Sequence, residues 1–458
     1  PVILAYQNWD DHDRSDRYTA NSMGKMYLDS CDENAILFTI GDNDTFALWY
    51  AQNIEGYRQD VRIVNTSLFA TDWYIDDMKK KAFESDPIPS QLTHDKYRFG
   101  TRDFLYYQET KEDTIDIKTW MNWVASDNPV TMVELESNQW AHTFPSKIIR
   151  IPVDKEAVLR NGIVAQKDAD KIVPYIDINL KGNIIYKNRM MMLDVIANNN
   201  WERPIYFSGG SFGDDDYIWM KDYLQLEGVT YKLVPIRTPV DKGNPFDMGR
   251  IDAEKMYDIV MNFDWGNSGS PDIYHDTETR RNGITYRSNL ARLAEALMNE
   301  DEMEKAEDIL DLAMEKMPVD DFGYYSLLEP YVLGYYELDK RDKARNLYQQ
   351  VVKIYQEKLL YYSGMKVKRQ FMIADEIISD MEKYRGLVDI LIVMDEESFA
   401  RPEANKFNDY LKLFRHFYSE EEGMDMDEDL PTDREIENAL DLPIDTVVQD
   451  NTDIEPEL

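Results

Sequence analysis

The chain has 458 residues, enough for two to three domains rather than one core. A hydrophobic share of 43% and an aromatic share of 12% exclude wholesale disorder. With 51 basic against 88 acidic side chains, a formal charge of −37, nucleic-acid binding through clustered Lys and Arg is excluded, and an anionic membrane surface would repel the chain.

Residues 2–6 are a short apolar run read as a first strand, followed by a polar loop over 7–16; Met23 and Tyr27 then fall at helical spacing. Residues 35–40 form a buried-strand run ending in Gly41-Asp42-Asn43-Asp44, and Phe46, Tyr50 and Ile54 follow at four-residue steps as one apolar helix face. Residues 61–68 are the next strand, and Asp72 is placed to cap a helix opening near Trp73. This β-α-β-α-β-α pattern predicts a mostly parallel, right-handed α/β sheet with functional loops at the carboxyl ends of its strands, here 7–16, 41–44 and 69–73. Further strands are expected over 131–135, 148–151, 204–207 and 231–235, completing or decorating the sheet.

After about residue 246 the pattern is helical. Leu290, Leu293, Ala294, Leu297, Ala306, Leu310, Ala313 and Pro318 carry the large and small residues of a tetratricopeptide repeat, whose small residues let two antiparallel helices approach closely. A looser copy, Leu328, Tyr331, Val332, Tyr335, Ala344, Tyr348 and Val351, follows about 38 residues on, against an ideal period of about 34, and Pro330 inside its first helix argues for a degenerate repeat. Helices over 371–384 and 407–417 continue or cap the array, and Tyr324, Tyr325, Tyr331, Tyr335 and Tyr336 either stack between helices or line a groove. The division expected is therefore an α/β domain over 1–245, a tetratricopeptide-like helical domain over 246–418 and an acidic tail over 419–458. In that tail sixteen acids face one base, Arg434, and a helix is expected over 434–442.

Cys31 is the only cysteine, which excludes an internal disulfide framework and CxxC-type metal or redox sites. No run of eighteen apolar residues occurs, and the chain opens on Pro1, as expected of a mature or excised fragment. His12, His94, His142, His275 and His416 lack zinc-ligand spacing, and there is no G-x-S-x-G elbow, Walker loop or G-x-G-x-x-G after a strand.

The chemistry concentrates in three loops. Trp9, Asp10, Asp11, His12 and Asp13, with Arg14 and Arg17, form an oxygen-rich cluster that can hold Mg²⁺ or Ca²⁺ or supply an acid–base pair; the plainer reading is a loop stiffened by Asp–Arg pairs. Asp42, Asn43 and Asp44 form a D-x-D triplet, with Trp49 one helical turn beyond; the plainer reading makes Asp44 a helix N-cap and Gly41 a turn residue. Asp72 and Trp73 match a sugar platform, in which the aromatic stacks on the ring and the acid binds hydroxyls, although core tryptophans are commoner. A divalent cation is the one cofactor these loops suggest, with Asp11, Asp13, Asp42 and Asp44 as ligands. Ser208-Gly209-Gly210-Ser211-Phe212-Gly213, after the 204–207 strand, either cradles a phosphate or is a plain flexible loop.

The segments Asn8-Trp9-Asp10-Asp11-His12-Asp13-Arg14-Ser15, Gly41-Asp42-Asn43-Asp44-Thr45-Phe46, Thr71-Asp72-Trp73-Tyr74, Arg203-Pro204-Ile205-Tyr206-Phe207 and Asp222-Tyr223-Leu224-Gln225-Leu226-Glu227-Gly228 resemble the C-terminal soluble part of a bacterial family of multi-spanning membrane proteins classed as a domain of unknown function. That family looks like the GT-C glycosyltransferases and is similar to an animal protein O-mannosyltransferase. The resemblance implies an extracytoplasmic domain on the periplasmic face of the inner membrane, whose partners are an N-terminal membrane-spanning half and a protein or glycan acceptor. It implies catalytic carboxylates in that membrane half, so no catalytic residue is carried over and the fragment is not expected to be an enzyme alone. Oligosaccharyltransferases carry a Trp-Trp-Asp motif near their acceptor; by that weaker similarity Trp9, Asp10 and His12 would face the membrane half. Two other readings stand beside this one: a metal-dependent hydrolase or transferase site in the α/β crevice, and a helical-repeat interaction scaffold.

Overall fold

A computed structural model of the protein describes residues 2–9, 13, 15–110, 113–135, 139–211, 213–240 and 248–417. The chain divides into two compact units, the first ending at Ser268 and the second beginning at Gly269. The first is α/β and the second all-helical.

The first helix, α1 (Val2–Gln7), replaces the expected first strand. A run of five apolar residues satisfies either period, and with Ile3, Leu4 and Tyr6 exposed there is no sheet to bury it. The helix α2 (Thr19–Asp29) leads to strand β1 (Ile36–Thr39), α3 (Asp42–Asn53), β2 (Arg62–Asn65) and α4 (Asp72–Met78). Then follow β3 (Phe104–Tyr107), β4 (Thr114–Asp116), β5 (Met132–Glu134), β6 (Trp140–Phe144), β7 (Ile148–Pro152), β8 (Tyr175–Asn179) and β9 (Ile184–Tyr186). After α5 (Lys187–Asn199) come β10 (Ile205–Phe207), β11 (Leu224–Glu227), β12 (Thr230–Leu233), β13 (Arg250–Ile251) and α6 (Ala253–Met261).

The main sheet has six strands in the order β13-β11-β12-β10-β1-β2. It is mixed: β10–β1, β1–β2 and β11–β13 pair in parallel, whereas β12 runs antiparallel to both β10 and β11. Of the later predicted strands, those at 204–207 and 231–235 do complete this sheet. Those at 131–135 and 148–151 belong instead to two separate small sheets, β5-β6-β3-β9 and β4-β7-β8. Their sequences read as strands, but alternation says nothing about which sheet a strand joins.

The core beside β1 and β2 is built from Leu28, Cys31, Ala35, Leu37, Leu48, Ala51, Val61, Ile63 and Tyr206. Gly24 lets α2 and α3 approach, since a Cβ there would lie 3.1 Å from that of Ala47. The face of α3 that enters the core carries Thr45, Leu48, Ala51 and Gln52. Phe46, Tyr50 and Ile54 do not: they are 58%, 49% and 70% exposed, so the expected apolar face points away from the core.

In the second unit α7 (Thr277–Asn299) packs on α8 (Met303–Lys316), α9 (Glu329–Glu337) on α10 (Arg341–Ser363), and α11 (Ala374–Met394) on α12 (Glu397–Lys412). The residues at repeat spacing are buried in the first two pairs, Leu290, Leu293, Ala294 and Leu297 against Ala306, Leu310 and Ala313, then Tyr331, Val332 and Tyr335 against Ala344, Tyr348 and Val351. Pro330, expected inside the helix, falls in the first turn of α9, where its missing N–H has no helical partner to lose. The break at Met372 and Ile373 divides the helix expected over 371–384, and α12 starts ten residues before the predicted 407 despite Pro402. The expected tail and its helix at 434–442 lie outside the described residues.

Candidate functional site

The chain leaves β1 toward β2 on one side, while β10 joins β1 from the other. The carboxyl ends of these three parallel strands therefore form a topological switch point, the place where open α/β sheets bind ligands. Three short segments leave the strands there: Ile40-Gly41 after β1, Thr66-Ser67 after β2, and Ser208-Gly209-Gly210 after β10, of which Ser67 and Gly210 are exposed.

Buried hydrogen bonds hold these ends. The hydroxyls of Thr39 and Thr45 are 2.6 Å apart. The Asn65 amide donates to the Gly41 carbonyl at 2.8 Å and to Thr45 Oγ1 at 2.9 Å, while its Oδ1 accepts from the Leu68 N–H at 2.9 Å. Ser67 Oγ donates to the Ile40 carbonyl at 3.0 Å, and Asn188, at the start of α5, donates to the Thr66 carbonyl at 3.1 Å. The turn that carries Asp42, Asn43 and Asp44 is thus pinned from the core side.

Asp42 and Asn43 are exposed and Asp44 half-buried in the first turn of α3, where carboxylates favour the positive end of the helix dipole. The N-cap is Gly41 rather than Asp44, and no side chain caps this helix. Trp49 lies on the same helix, its ring 5.7 Å from that of Phe46. At the neighbouring strand end Asp72 opens α4: its carboxylate accepts from the Phe99 N–H at 3.1 Å and the Trp73 N–H at 2.8 Å, and these two bonds, that to Phe99 first, hold it below the usual carboxylate range. Trp73 is 55% exposed, with its ring edge-on to buried Tyr74 at 5.6 Å, so it is not a core residue. Asp42, Asn43 and Asp44 thus open the helix after β1, and Asp72 and Trp73 open the helix that follows β2 and a short 3-10 turn, Leu68–Ala70.

The first predicted loop is different. With α1 in place of a strand, Trp9 and Asp13 precede α2 and sit at no strand end. Trp9 is 67% exposed. Asp13 accepts from the hydroxyl of Ser15 and from its N–H at 2.9 Å, bonds that keep its carboxyl low. Asp10, Asp11 and His12 lie outside the described residues. Among the described residues no group of three or more His, Cys, Asp or Glu side chains is arranged to hold a metal ion, so Asp13, Asp42 and Asp44 make no such group among themselves.

Sequence reasoning missed Thr39, Thr45 and Asn65, polar residues that read as parts of apolar runs; an Asn closing a buried strand was the available signal. It read Ser208 as part of a loop that either cradles a phosphate or is plainly flexible. Its hydroxyl is buried with no hydrogen-bond partner among the described residues, next to Gly209 and Gly210 at φ of 83° and 80°. A buried unpaired hydroxyl costs about 1–3 kcal/mol, so this position is a local weakness in the packing behind the strand ends.

A second polar cluster, missed entirely, lies inside the sheet. Lys255 bonds both Asp32 and Glu227 at 2.8 Å, Lys232 bonds Asp32 at 2.5 Å, and Tyr206 donates to Glu227 at 2.6 Å. Against the opposing effect of burial, Lys232 and Lys255 hold Asp32 down at about 2. Its members are paired charges joining β10, β11, β12 and α6, which is the geometry of a structural network rather than of a reactive group.

Among the described residues no helix is long and apolar enough to cross a membrane. The family model described as TMEM260-associated domain 2 matches residues 20–255. No curated protein and no solved structure matches the chain.

Proposed function

The chain belongs to the family of TMEM260-associated domain 2, a domain of a membrane-protein family, and from that premise we propose that it is the extracytoplasmic, non-catalytic part of a membrane glycosyltransferase. In this reading it sits on the periplasmic face of the inner membrane and binds the acceptor, or a partner that presents it, while a membrane-spanning half takes sugar from a lipid carrier. The observation that carries the reading is that exposed aromatics and carboxylates share the first turns of the helices after β1 and β2, Phe46 with Asp42 and Trp73 with Asp72. Exposed rings beside acids suit a hydroxyl-bearing acceptor, and burying them against one recovers apolar area that the fold leaves open. The test is a full-length membrane protein carrying Asp42→Ala with Trp73→Ala. Acceptor glycosylation is expected to fall through a raised KM for the acceptor; normal glycosylation at limiting acceptor overturns the proposal.

A second reading has an observation of its own. The helix pairs of the second unit are read as a tetratricopeptide-type array, and beside α8, α9 and α10 lies an open cavity of about 480 Å³ lined in part by Asp311, Tyr335, Lys343 and Asn346. It fits a scaffold that holds a peptide segment. Pull-downs from cells in which residues 269–417 are deleted should lose a partner, and retention of every partner argues against it.

A further inference from the structure

A cavity of about 450 Å³ lies between the outer face of β8 and the segment after β10. β8 is the edge strand of its sheet, pairing only with β7, so the alternate side chains Tyr175, Asp177 and Asn179 stand on one solvent-facing row. Opposite them stand Trp219 and Tyr223. None of these residues belongs to the strand-end loops, so the cavity is independent of the acceptor role proposed for those loops.

The charges of the cavity cancel. The lining acids are Asp177, Asp214 and Asp222, and the lining bases are Lys181, Lys221 and Arg237. Each acid is bonded to a base: Asp214 to Lys181 and, at 3.4 Å, to Lys221; Asp222 to Arg237 at 3.4 Å; and Asp177 to Arg150 through two bonds of 2.8 and 2.7 Å. The Arg150 guanidinium also lies 3.8 Å from the Tyr175 ring centroid, fixing that ring. Every charged side chain of the lining thus already has a partner of opposite sign, Lys181 and Lys221 sharing Asp214.

The uncharged groups are the ones without partners. The Trp219 indole N–H, the Asn179 side-chain amide and the hydroxyls of Tyr175 and Tyr223 make no hydrogen bond with any described residue. Three aromatic rings together with neutral donors and acceptors are what a polyhydroxylated ring recognises, by stacking its CH face and bonding its hydroxyls. The backbone adds a second sign. Ile218 and Trp219 both take left-handed conformations, at φ of 51° and 56°, which bulky and β-branched residues rarely adopt. Such strain persists where the surroundings enforce it, here through the Trp219 N–H bond to the Asp214 carbonyl at 2.7 Å, and it is found disproportionately at ligand clamps.

We propose that this cavity is a binding site for an uncharged oligosaccharide. Its test is titration of the 458-residue chain with neutral probes (mannotriose, cellotriose and chitotriose) and with anionic ones (sialyllactose and a trigalacturonate), followed by calorimetry or ligand-observed NMR. At least one neutral probe is expected to bind, the anionic ones are not, and Trp219→Ala is expected to weaken binding about tenfold or more. Because Trp219 occupies a strained position, exposed Asn179→Ala is the second variant, expected to weaken binding severalfold without moving the unfolding midpoint. Binding by none of the neutral probes, binding of the anionic probes alone, or unchanged affinity in folded Asn179→Ala overturns the assignment. This readout is sugar affinity of the chain itself, whereas the strand-end proposal is read in glycosylation by the membrane protein, so the two can fail separately.

Discussion

Asn65 joins three segments with one side chain, bonding the Gly41 carbonyl, Thr45 and the Leu68 N–H from a buried position at the end of β2. The strand-end turn thereby acquires its shape from a buried residue. Asp194 works in the same way within α5, where its carboxylate accepts from Ser90 at 2.5 Å and from the Asn198 amide at 2.9 Å. Burial, the largest influence on it, nonetheless pushes its pKa up to about 6. The folded state therefore holds this proton more tightly than the unfolded chain, whose carboxyl titrates near 3.8. The stability it contributes is full below about pH 4 and is lost as pH rises through about 6, a change on the order of 3 kcal/mol. Asp194→Asn, which keeps the neutral shape, should flatten that part of the pH profile in urea unfolding; an unchanged slope between pH 4 and 6 would contradict the assignment.

At the scale of elements, the turns and helix faces are set by what lies across from them. The β11–β12 hairpin turns through Gly228 and Val229, with Gly228 at φ of 57° and Val229 bonded through its N–H to Ser30 Oγ at 3.1 Å. A Cβ at residue 228 would lie 2.3 Å from that Oγ and 2.8 Å from the Phe263 ring. Gly228→Ala is expected to destabilise the first unit by about 2–4 kcal/mol through backbone strain and the clash together; a loss under about 1 kcal/mol in denaturant unfolding would show that the neighbours yield. The helix α3 gives the opposite lesson. Its row of Phe46, Tyr50 and Ile54 fits an apolar stripe at helical spacing, yet it is the mixed row of Thr45, Leu48, Ala51 and Gln52 that is buried. Gln52 can be buried because its amide donates to the carbonyls of Arg58 and Val61 at 2.7 and 2.8 Å.

For the molecule as a whole, two units each with a core of its own predict separable folding. The first owns the six-stranded sheet, including β13 and α6, which a boundary at residue 245 would cut away. Residues 1–268 expressed alone should therefore unfold in one cooperative transition by circular dichroism, and a gradual, non-cooperative melt would contradict the division. The second unit fastens its first two helix pairs with buried Arg287, which donates to the Met317 carbonyl at 2.8 Å and whose own carbonyl accepts from Tyr331 at 2.7 Å.

The charge balance, the strand–helix alternation from residue 35 onward and the large-and-small spacing of the helix pairs are local properties, and the chain alone was enough to read them. Asp42 just past the end of β1 was legible too, whereas Asp72, expected as a cap, is instead the first residue of α4, whose N-cap Thr71 makes no side-chain cap. Three matters required the tertiary structure: that residues 2–6 form a helix, that strands 131–135 and 148–151 leave the main sheet, and that the polar ends of β1 and β2 are sewn together by Asn65. The pocket of Tyr175, Asn179, Trp219 and Tyr223 belongs with them, since it joins residues about forty positions or more apart. Each turns on which surface meets which, and partners distant along the chain leave no period in the sequence between them.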